Sequence, residues 1–116
     1  MTQYRRGRDL EYAVRDHLQA EGYETFRSAG SRSPIDVIGF KPRHTVFVQC
    51  KLDGRCPPSE RAELLRVAAL AGAVPIVAAR PPRKPIEYRR LVGSGPRDFE
   101  PWTPDLIAKP TPESAA

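Results

Sequence analysis

Three polar residues with side chains suited to phosphate chemistry lie in segments that otherwise have the pattern of hydrophobic strands. Asp36 lies in IDVIGF, and Gln49 and Lys51 lie in TVFVQCK. Because side chains alternate along a strand, Gln49 and Lys51 point to the same face. The short segment KPRH between the two strands predicts an antiparallel turn. This pairing is expected to bring the carboxylate of Asp36 beside the amide and the ammonium group.

A second carboxylate, Glu11, falls in a predicted amphipathic helix that precedes the strands. With about 3.6 residues per turn, Glu11 lies roughly 100° from Leu10 and roughly 20° from Leu18 around the helix axis. The carboxylate is therefore predicted at the rim of the apolar stripe, where it faces the sheet.

Two carboxylates and an amide oxygen are ligands that suit a hard divalent cation. Magnesium binds oxygen in near-octahedral geometry and needs only one or two protein carboxylates beside water and substrate phosphate. We therefore expect Mg²⁺, with Mn²⁺ able to substitute, and Glu11, Asp36 and Gln49 as its ligands. Lys51 would hold the attacking water or the developing charge. The chemistry so predicted is hydrolysis of a phosphodiester.

The elements that position these residues follow from hydrophobic periodicity and capping signals. One helix is predicted over residues 5–22, and a second begins with Ser59 as its N-cap and ends at Gly72. Three strands lie between the helices, and VPIVAAR and IEYRRLV follow them. The order α-β-β-β-α-β-β predicts an α/β fold with a central mixed sheet of about five strands flanked by helices. We assign residues 1–96 to a nuclease domain and residues 97–116 to a Pro-rich tail that packs partly on it and frays at the end.

Composition favours a nucleic-acid partner. The 116 residues include 19 Lys and Arg against 14 Asp and Glu, a net charge of +5, which attracts polyanions. The two cysteines match neither a disulfide framework nor a zinc spacing, which favours a reducing cytoplasm. Because no segment approaches the roughly 20 apolar residues of a membrane span, we expect a soluble cytoplasmic protein without membrane contact.

The motif residues carry a resemblance to a known family. The run PID at 34–36 with QCK at 49–51 resembles the PD-(D/E)XK nuclease signature, with Gln49 in place of the usual acidic residue. More narrowly, RRGRDLEY and the following residues up to VFVQCKLDG are similar to archaeal-type Holliday junction resolvases, including phage-encoded relatives. Gly7 four residues before Glu11, the loop RSAGSR and the strand GAVPIVAAR also fit that family. The resemblance covers roughly residues 4–92.

This resemblance implies a restriction-endonuclease-like core and a metal-dependent endodeoxyribonuclease that cuts four-way junctions in DNA recombination and repair. The implied metal ligands are Glu11, Asp36, Gln49 and the backbone carbonyl of Cys50, and Lys51 is the implied catalytic lysine. Ser31, with Ser28 as a second candidate, is the implied loop serine that contacts the DNA backbone near the scissile phosphate.

The resemblance also implies a homodimer that presents two active sites on one basic face and cuts two opposed strands symmetrically. A chain with one site cuts paired strands in one binding event when a twofold axis presents two copies. The basic residues near these motifs are candidates to hold phosphates, and contacts of this kind recognise backbone shape without base sequence. The candidates are Arg5, Arg6, Arg8, Arg27, Arg32 and Arg55.

Two alternatives remain open at the level of sequence. Some restriction endonucleases of the superfamily cleave with a QxK motif, but Gln49 removes one negative charge from the site. A catalytically inactive DNA-binding module on the same fold is therefore one alternative. A repair or restriction-type nuclease acting on flap or duplex DNA is the other. Metal-dependent nicking tests the first, and comparison of branched with linear substrates tests the second.

Overall fold

The computed structural model describes residues 3–28 and 33–107, with side chains from 6 to 28 and from 33 to 105. The described part contains two helices, each followed by three strands, and ends with a short 3₁₀ turn, Pro104–Ile107. The helices are α1 (Gln3–Ala20) and α2 (Pro58–Ala71). The strands are β1 (Glu24–Arg27), β2 (Val37–Lys41), β3 (His44–Cys50), β4 (Val74–Ala79), β5 (Glu87–Leu91) and β6 (Phe99–Trp102).

The strands form one mixed sheet whose spatial order is the chain order, β1-β2-β3-β4-β5-β6. Neighbouring strands pair antiparallel except β3 and β4, which are parallel and are joined by α2. A parallel pair needs such a crossover because the chain must return to the end of the sheet from which β3 started. The predicted α/β class and mixed sheet are confirmed.

The sheet has one strand more than predicted. β6 pairs with β5 through Tyr88↔Trp102, and the buried Trp102 packs edge-on against the Tyr88 ring at 5.6 Å. The segment was not recognised as a strand because it contains Pro101 and follows a run rich in Gly and Pro. Pro is tolerated at this position because β6 lies at the edge of the sheet. The proposed division into residues 1–96 and 97–116 stays a prediction.

The two helices cover opposite faces of the sheet. The apolar stripe of α1, Leu10, Val14 and Leu18, is fully buried in one cluster with strand residues such as Val37 and Val48. On the other face, α2 packs in a second cluster that contains Leu64, Ala68, Phe47 and Val77. Alternate residues of β3 therefore face different helices, as strand geometry requires. No helix within the described residues has the length and apolar character needed to cross a membrane.

The ends of α2 match the prediction at one terminus and differ at the other. Gly72 adopts the left-handed conformation at φ 65°, and the next residue, Ala73, donates its N–H to the carbonyl of Ala68 at 2.8 Å. At the start, Pro57 is the N-cap and Pro58 the first helical residue, so the prediction of Ser59 as the cap was wrong. Pro at the first helical position costs no hydrogen bond, because that N–H has no partner within the helix.

Gly39 of β2 packs against Leu18 of α1 with little room for a Cβ, and we expect Gly39→Ala to destabilise the fold. A Cβ there would lie 3.0 Å from Leu18 Cδ1 and 3.2 Å from the Tyr23 ring. Overpacking of this kind costs about 1–3 kcal/mol in the free energy of unfolding, measured by urea denaturation. Gly7→Ala in α1 is the matched control, because a Cβ at this position meets nothing within 4 Å. Its free energy of unfolding should rise by about 0.5–1 kcal/mol, since Gly in a helix is less favourable than Ala. Equal stability of both variants would refute the close approach.

Candidate active site

The candidate site lies at the end of the sheet where β2 begins and β3 ends. The antiparallel register pairs Val37 with Val48, which places Asp36, one residue before β2, opposite Gln49 and next to Cys50. Asp36 donates its backbone N–H to the Val48 carbonyl at 2.8 Å, and its Oδ2 accepts the Cys50 N–H at 2.7 Å. One backbone and one side-chain hydrogen bond to β3 therefore hold Asp36 in place at this end of the sheet.

Lys51 and Gln49 face α2, where both contact Glu60. Lys51 Nζ donates to Glu60 Oε1 at 2.9 Å and to Oε2 at 3.2 Å. Gln49, which is buried, donates from Nε2 to the same Oε1 at 3.2 Å. The oxygen of the Gln49 amide accepts the Cys56 thiol at 3.2 Å, so it points away from Glu60. The amide nitrogen, rather than the oxygen, is the end of Gln49 that faces Glu60.

Glu60 is the residue of this cluster that sequence reasoning missed, because a glutamate in the first turn of a helix is already explained by its favourable interaction with the helix dipole. A signal for it exists in the predicted topology. The helix that links β3 to a parallel β4 must begin at the end of the sheet where β3 ends. Its first-turn side chains therefore lie beside the last residues of β3, which include Gln49 and are followed by Lys51.

Glu11 reaches the same end of the sheet from α1, on the other face. Its Oε1 accepts a hydrogen bond from Arg27 Nη1 at 2.9 Å, and both side chains are partly exposed, Arg27 at 27% and Glu11 at 22%. Arg27 also donates to the Tyr12 hydroxyl at 3.2 Å and lies over the Tyr12 ring at 4.5 Å. The hydrogen bond to Glu11 is the main reason that the pKa of Arg27 is raised. In this DNA-free arrangement, a predicted phosphate-binding arginine is thus paired with a predicted metal ligand.

The carboxyl group of Asp36 has a raised pKa. Burial, above all, together with the charges of Glu11 and Glu60, raises the pKa of Asp36 from 3.8 to about 6. The Cys50 N–H and the Lys51 ammonium act in the opposite direction without cancelling the effect. Burial, with the charges of Asp36 and Glu11, also raises the pKa of the Cys50 thiol, which therefore stays protonated at neutral pH. A cation placed here would relieve the repulsion among the carboxylates.

The donor set fits a magnesium ion that keeps much of its water. In residues 3–28 and 33–107, no three His, Cys, Asp or Glu side chains are grouped closely enough to hold a metal by themselves. Magnesium does not need such a cage, since one or two carboxylates with water and substrate phosphate suffice. Asp36 and Glu11 meet that requirement with hard oxygen donors, and the charges of Glu11 and Glu60 near Asp36 favour a divalent cation.

The other predicted DNA contacts are distributed around this end of the sheet. Arg6 and Arg8 are exposed on α1, and Arg55 is exposed in the loop after Lys51, where its N–H donates to Asp53. Ser28 donates its backbone N–H to the Asp36 carbonyl at 2.8 Å, which ties the end of β1 to the site. Two candidates, Ser31 and Arg32, lie outside the described residues, and for Arg5 the description covers only its helical backbone.

A basic groove adjoins the site and contains cations that sequence reasoning did not single out. Its volume is about 460 Å³, and Arg6 and Asp9 of α1 form one side of it. Arg80 follows β4 and donates its N–H to the Leu52 carbonyl at 3.1 Å, which places the groove just past Lys51. The run RPPRK at 80–84 could have predicted this groove. It follows β4, which is parallel to β3, so its cations lie at the end of the sheet where β3 ends. The basic residues of the groove are Arg6, Arg80, Arg83 and Lys84.

Comparison with known proteins gives one family and one fold. A family model described as archaeal Holliday junction resolvase (hjc) matches residues 2–93, which span α1 to β5 and every described site residue. Among solved structures, the chain is similar to Hjc, a Holliday junction resolvase from the archaeal hyperthermophile Archaeoglobus fulgidus. The two share 23% sequence identity and a TM-score of 0.63, over 72% of this chain and 70% of that chain. No curated protein matches the chain.

Proposed function

The chain belongs to the archaeal Holliday junction resolvase family, and we propose which of its residues and what assembly perform the cleavage. Members of this family are structure-selective, metal-dependent endonucleases for branched DNA. The active site consists of Glu11, Asp36 and Lys51 together with position 49. Its metal is Mg²⁺, for which Mn²⁺ substitutes. The observation that carries this proposal is the partly buried Asp36 carboxylate, which accepts the Cys50 N–H at 2.7 Å and interacts with the charges of Glu11 and Lys51.

Asp36 and Glu11 are the proposed carboxylate ligands, with the backbone carbonyl of Cys50 beside them. Bound Mg²⁺ supplies stabilisation of charge on the scissile phosphate and lowers the pKa of a coordinated water. The amide oxygen of Gln49 now accepts a hydrogen bond from the Cys56 thiol at 3.2 Å. Gln49 would have to turn away from Cys56 before this oxygen could bind a metal. Of the four predicted ligands, Asp36 and Glu11 are therefore the two that supply side-chain oxygens without a change in the Gln49 amide.

Lys51 is the proposed catalytic lysine. Its ammonium donates two hydrogen bonds to Glu60, to Oε1 at 2.9 Å and to Oε2 at 3.2 Å, and retains a third proton for a water or a phosphate oxygen. In the hydrolysis, a water oxygen forms a bond to phosphorus, one phosphoester P–O bond breaks, and the leaving oxygen takes a proton. Negative charge grows on the phosphoryl oxygens during this step, and a fixed ammonium lowers its energy.

The proposed assembly is a homodimer that nicks two opposed strands of a four-way junction. One site in each chain cuts paired strands in one binding event when a twofold axis presents both copies. Ser28 and Ser31 are the proposed contacts to the backbone near the scissile phosphate, and the nearby arginines bind flanking phosphates. The two free cysteines, Cys50 and Cys56, support a reducing, cytoplasmic location.

The proposal is tested with a synthetic four-way junction and a linear duplex of the same sequence, each incubated with Mg²⁺, Mn²⁺ or EDTA. We expect paired symmetric nicks on the junction alone, mapped on a denaturing gel, and their loss in EDTA. Sedimentation of the protein should give twice the mass of one chain. Tight junction binding without nicks under either metal would instead identify a binding module on a nuclease fold.

Neutralising the basic groove should weaken junction binding without abolishing cleavage at saturating protein. Arg80→Gln, Arg83→Gln and Lys84→Gln should each reduce the slope of log K against log salt by about 0.9, the value for one lost phosphate contact. Arg66→Gln on the exposed surface of α2 is the matched control, because Arg66 pairs with Glu63 away from the groove. Fluorescence anisotropy at several salt concentrations measures the slopes. Equal slopes for groove and control variants would exclude the groove from the DNA interface.

A further inference from the structure

We propose that Glu60 is the acidic residue of the active site that position 49 lacks: α2 brings the missing carboxylate to the end of β3. This inference rests on the proposed metal site and extends it by one residue. The sequence signature places an acidic side chain two residues before the lysine, where this chain has Gln49. In the folded chain, a carboxylate is nevertheless present beside that lysine, and it belongs to the first turn of a helix.

The contacts of Glu60 single it out from the other acidic residues of the surface. Its Oε1 accepts both Lys51 Nζ at 2.9 Å and Gln49 Nε2 at 3.2 Å, and its Oε2 accepts Lys51 Nζ at 3.2 Å. Its charge also acts on the Asp36 carboxylate. The side chain of Glu60 thus contacts both Gln49 and Lys51 of the QxK motif, and its charge acts on Asp36.

Gln49 has the side chain that this arrangement requires. A carboxylate accepts hydrogen bonds and donates none, so the atom of residue 49 that faces Glu60 must be a donor. The amide meets this condition with Nε2, while its oxygen accepts the Cys56 thiol. A glutamate at 49 would place two carboxylates against each other with Lys51 as their nearest cation. Gln at position 49 and Glu at position 60 therefore form a compatible pair with one negative charge.

The position of Glu60 on α2 also suits a carboxylate in the site. It lies in the first turn, where the backbone N–H groups and the helix dipole favour negative charge. The crossover topology fixes this turn beside the end of β3. The pair with Lys51 is partly exposed, at 27% and 37% of the side chains. Because such pairs contribute little to stability, neutralising Glu60 should leave the fold intact, so that a change in metal affinity reports on the site itself.

The test exchanges the charge between the two positions. The variants are Glu60→Gln, Gln49→Glu and the double variant Gln49→Glu/Glu60→Gln, with Glu63→Gln as the matched control on the same helix. Glu63 is suitable because its partner is Arg66 on the exposed surface. The first readout is Mn²⁺ binding to the DNA-free protein, followed by electron paramagnetic resonance. The second is single-turnover cleavage of the four-way junction, and circular dichroism verifies folding of each variant.

We expect Glu60→Gln to weaken Mn²⁺ binding by about tenfold and to slow cleavage by about 10²-fold, the usual effect of removing one preorganised charged or polar group. The double variant should recover most of both losses, because it returns one carboxylate to the neighbouring position. Gln49→Glu alone should bind Mn²⁺ at least as tightly as the wild type. Glu63→Gln should leave both quantities unchanged.

Two results would overturn the role of Glu60. One is a Glu60→Gln variant that matches Glu63→Gln in Mn²⁺ affinity and in cleavage. The other is slower cleavage with unchanged Mn²⁺ affinity and no recovery in the double variant. Failure of the proposed function is distinguishable from both, because it requires that the wild type leaves the junction uncut. Mn²⁺ affinities across the four variants still decide the role of Glu60 in that case.

Discussion

Asp36→Asn is expected to slow junction cleavage by about 10³-fold or more while the affinity for the junction stays equal or increases. The carboxylate is the proposed metal ligand held by the Cys50 N–H, and an amide oxygen without charge is a weaker donor to Mg²⁺. Losing the charge also removes repulsion between the site and DNA phosphates, which preserves or tightens binding. Single-turnover cleavage and anisotropy in EDTA measure the two effects separately.

Asp16→Asn is the matched control for this substitution. Asp16 is exposed on α1 and pairs only locally with Arg15, so its loss should change neither cleavage nor junction affinity. If Asp36→Asn loses folding and binding together with cleavage, Asp36 is structural and the assignment as a ligand is wrong.

The same substitution should stabilise the metal-free protein at neutral pH. Burial raises the pKa of Asp36 from 3.8 to about 6, so the folded state holds this proton more tightly than the unfolded state. For a carboxyl group with a raised pKa, stability is lost as pH rises from 3.8 to about 6 and stays low above it. Asparagine carries no such penalty, so its advantage in melting temperature in EDTA should grow between pH 4 and 6. A pH-independent difference would contradict the raised pKa.

Lys51→Met is the second substitution with a large expected effect, a loss of about 10²–10³-fold in cleavage rate. Methionine keeps much of the apolar stem and removes the ammonium that would face the reacting phosphate. Lys51→Arg retains the charge, but its planar fork cannot replace a point charge at the same place, so we expect only partial activity. Because Lys51 lies beside two carboxylates and is not itself a ligand, Mn²⁺ affinity of the methionine variant should not fall.

The control for Lys51 is Lys41→Met at the far end of β2. Lys41 lies over the Tyr23 ring, at the opposite end of the sheet from Asp36, and has no place in the proposed chemistry. Full cleavage by Lys51→Met under saturating Mg²⁺ would exclude the lysine from catalysis. A fall in Mn²⁺ affinity with the methionine variant would instead show that Lys51 organises the ligands.

The local sequence pattern was enough to predict the fold class and the placement of Asp36, Gln49 and Lys51 at one end of the sheet. Period-two alternation in β3 puts Gln49 and Lys51 on one face, and the short turn before it pairs Asp36 with the end of the same strand. Both rules act within about 20 residues of chain, so they need no knowledge of distant contacts. The apolar stripe of α1 likewise predicted which face of that helix is buried.

The remaining features depend on contacts between segments far apart in the chain. The partners of Glu60, the pairing of Glu11 with Arg27 and the basic groove all depend on how the helices pack on the sheet. The orientation of the Gln49 amide depends on two further partners, Glu60 and Cys56, that no periodicity connects to it. Strand and helix periods specify the face on which a side chain lies, whereas its hydrogen-bond partners are determined by long-range packing.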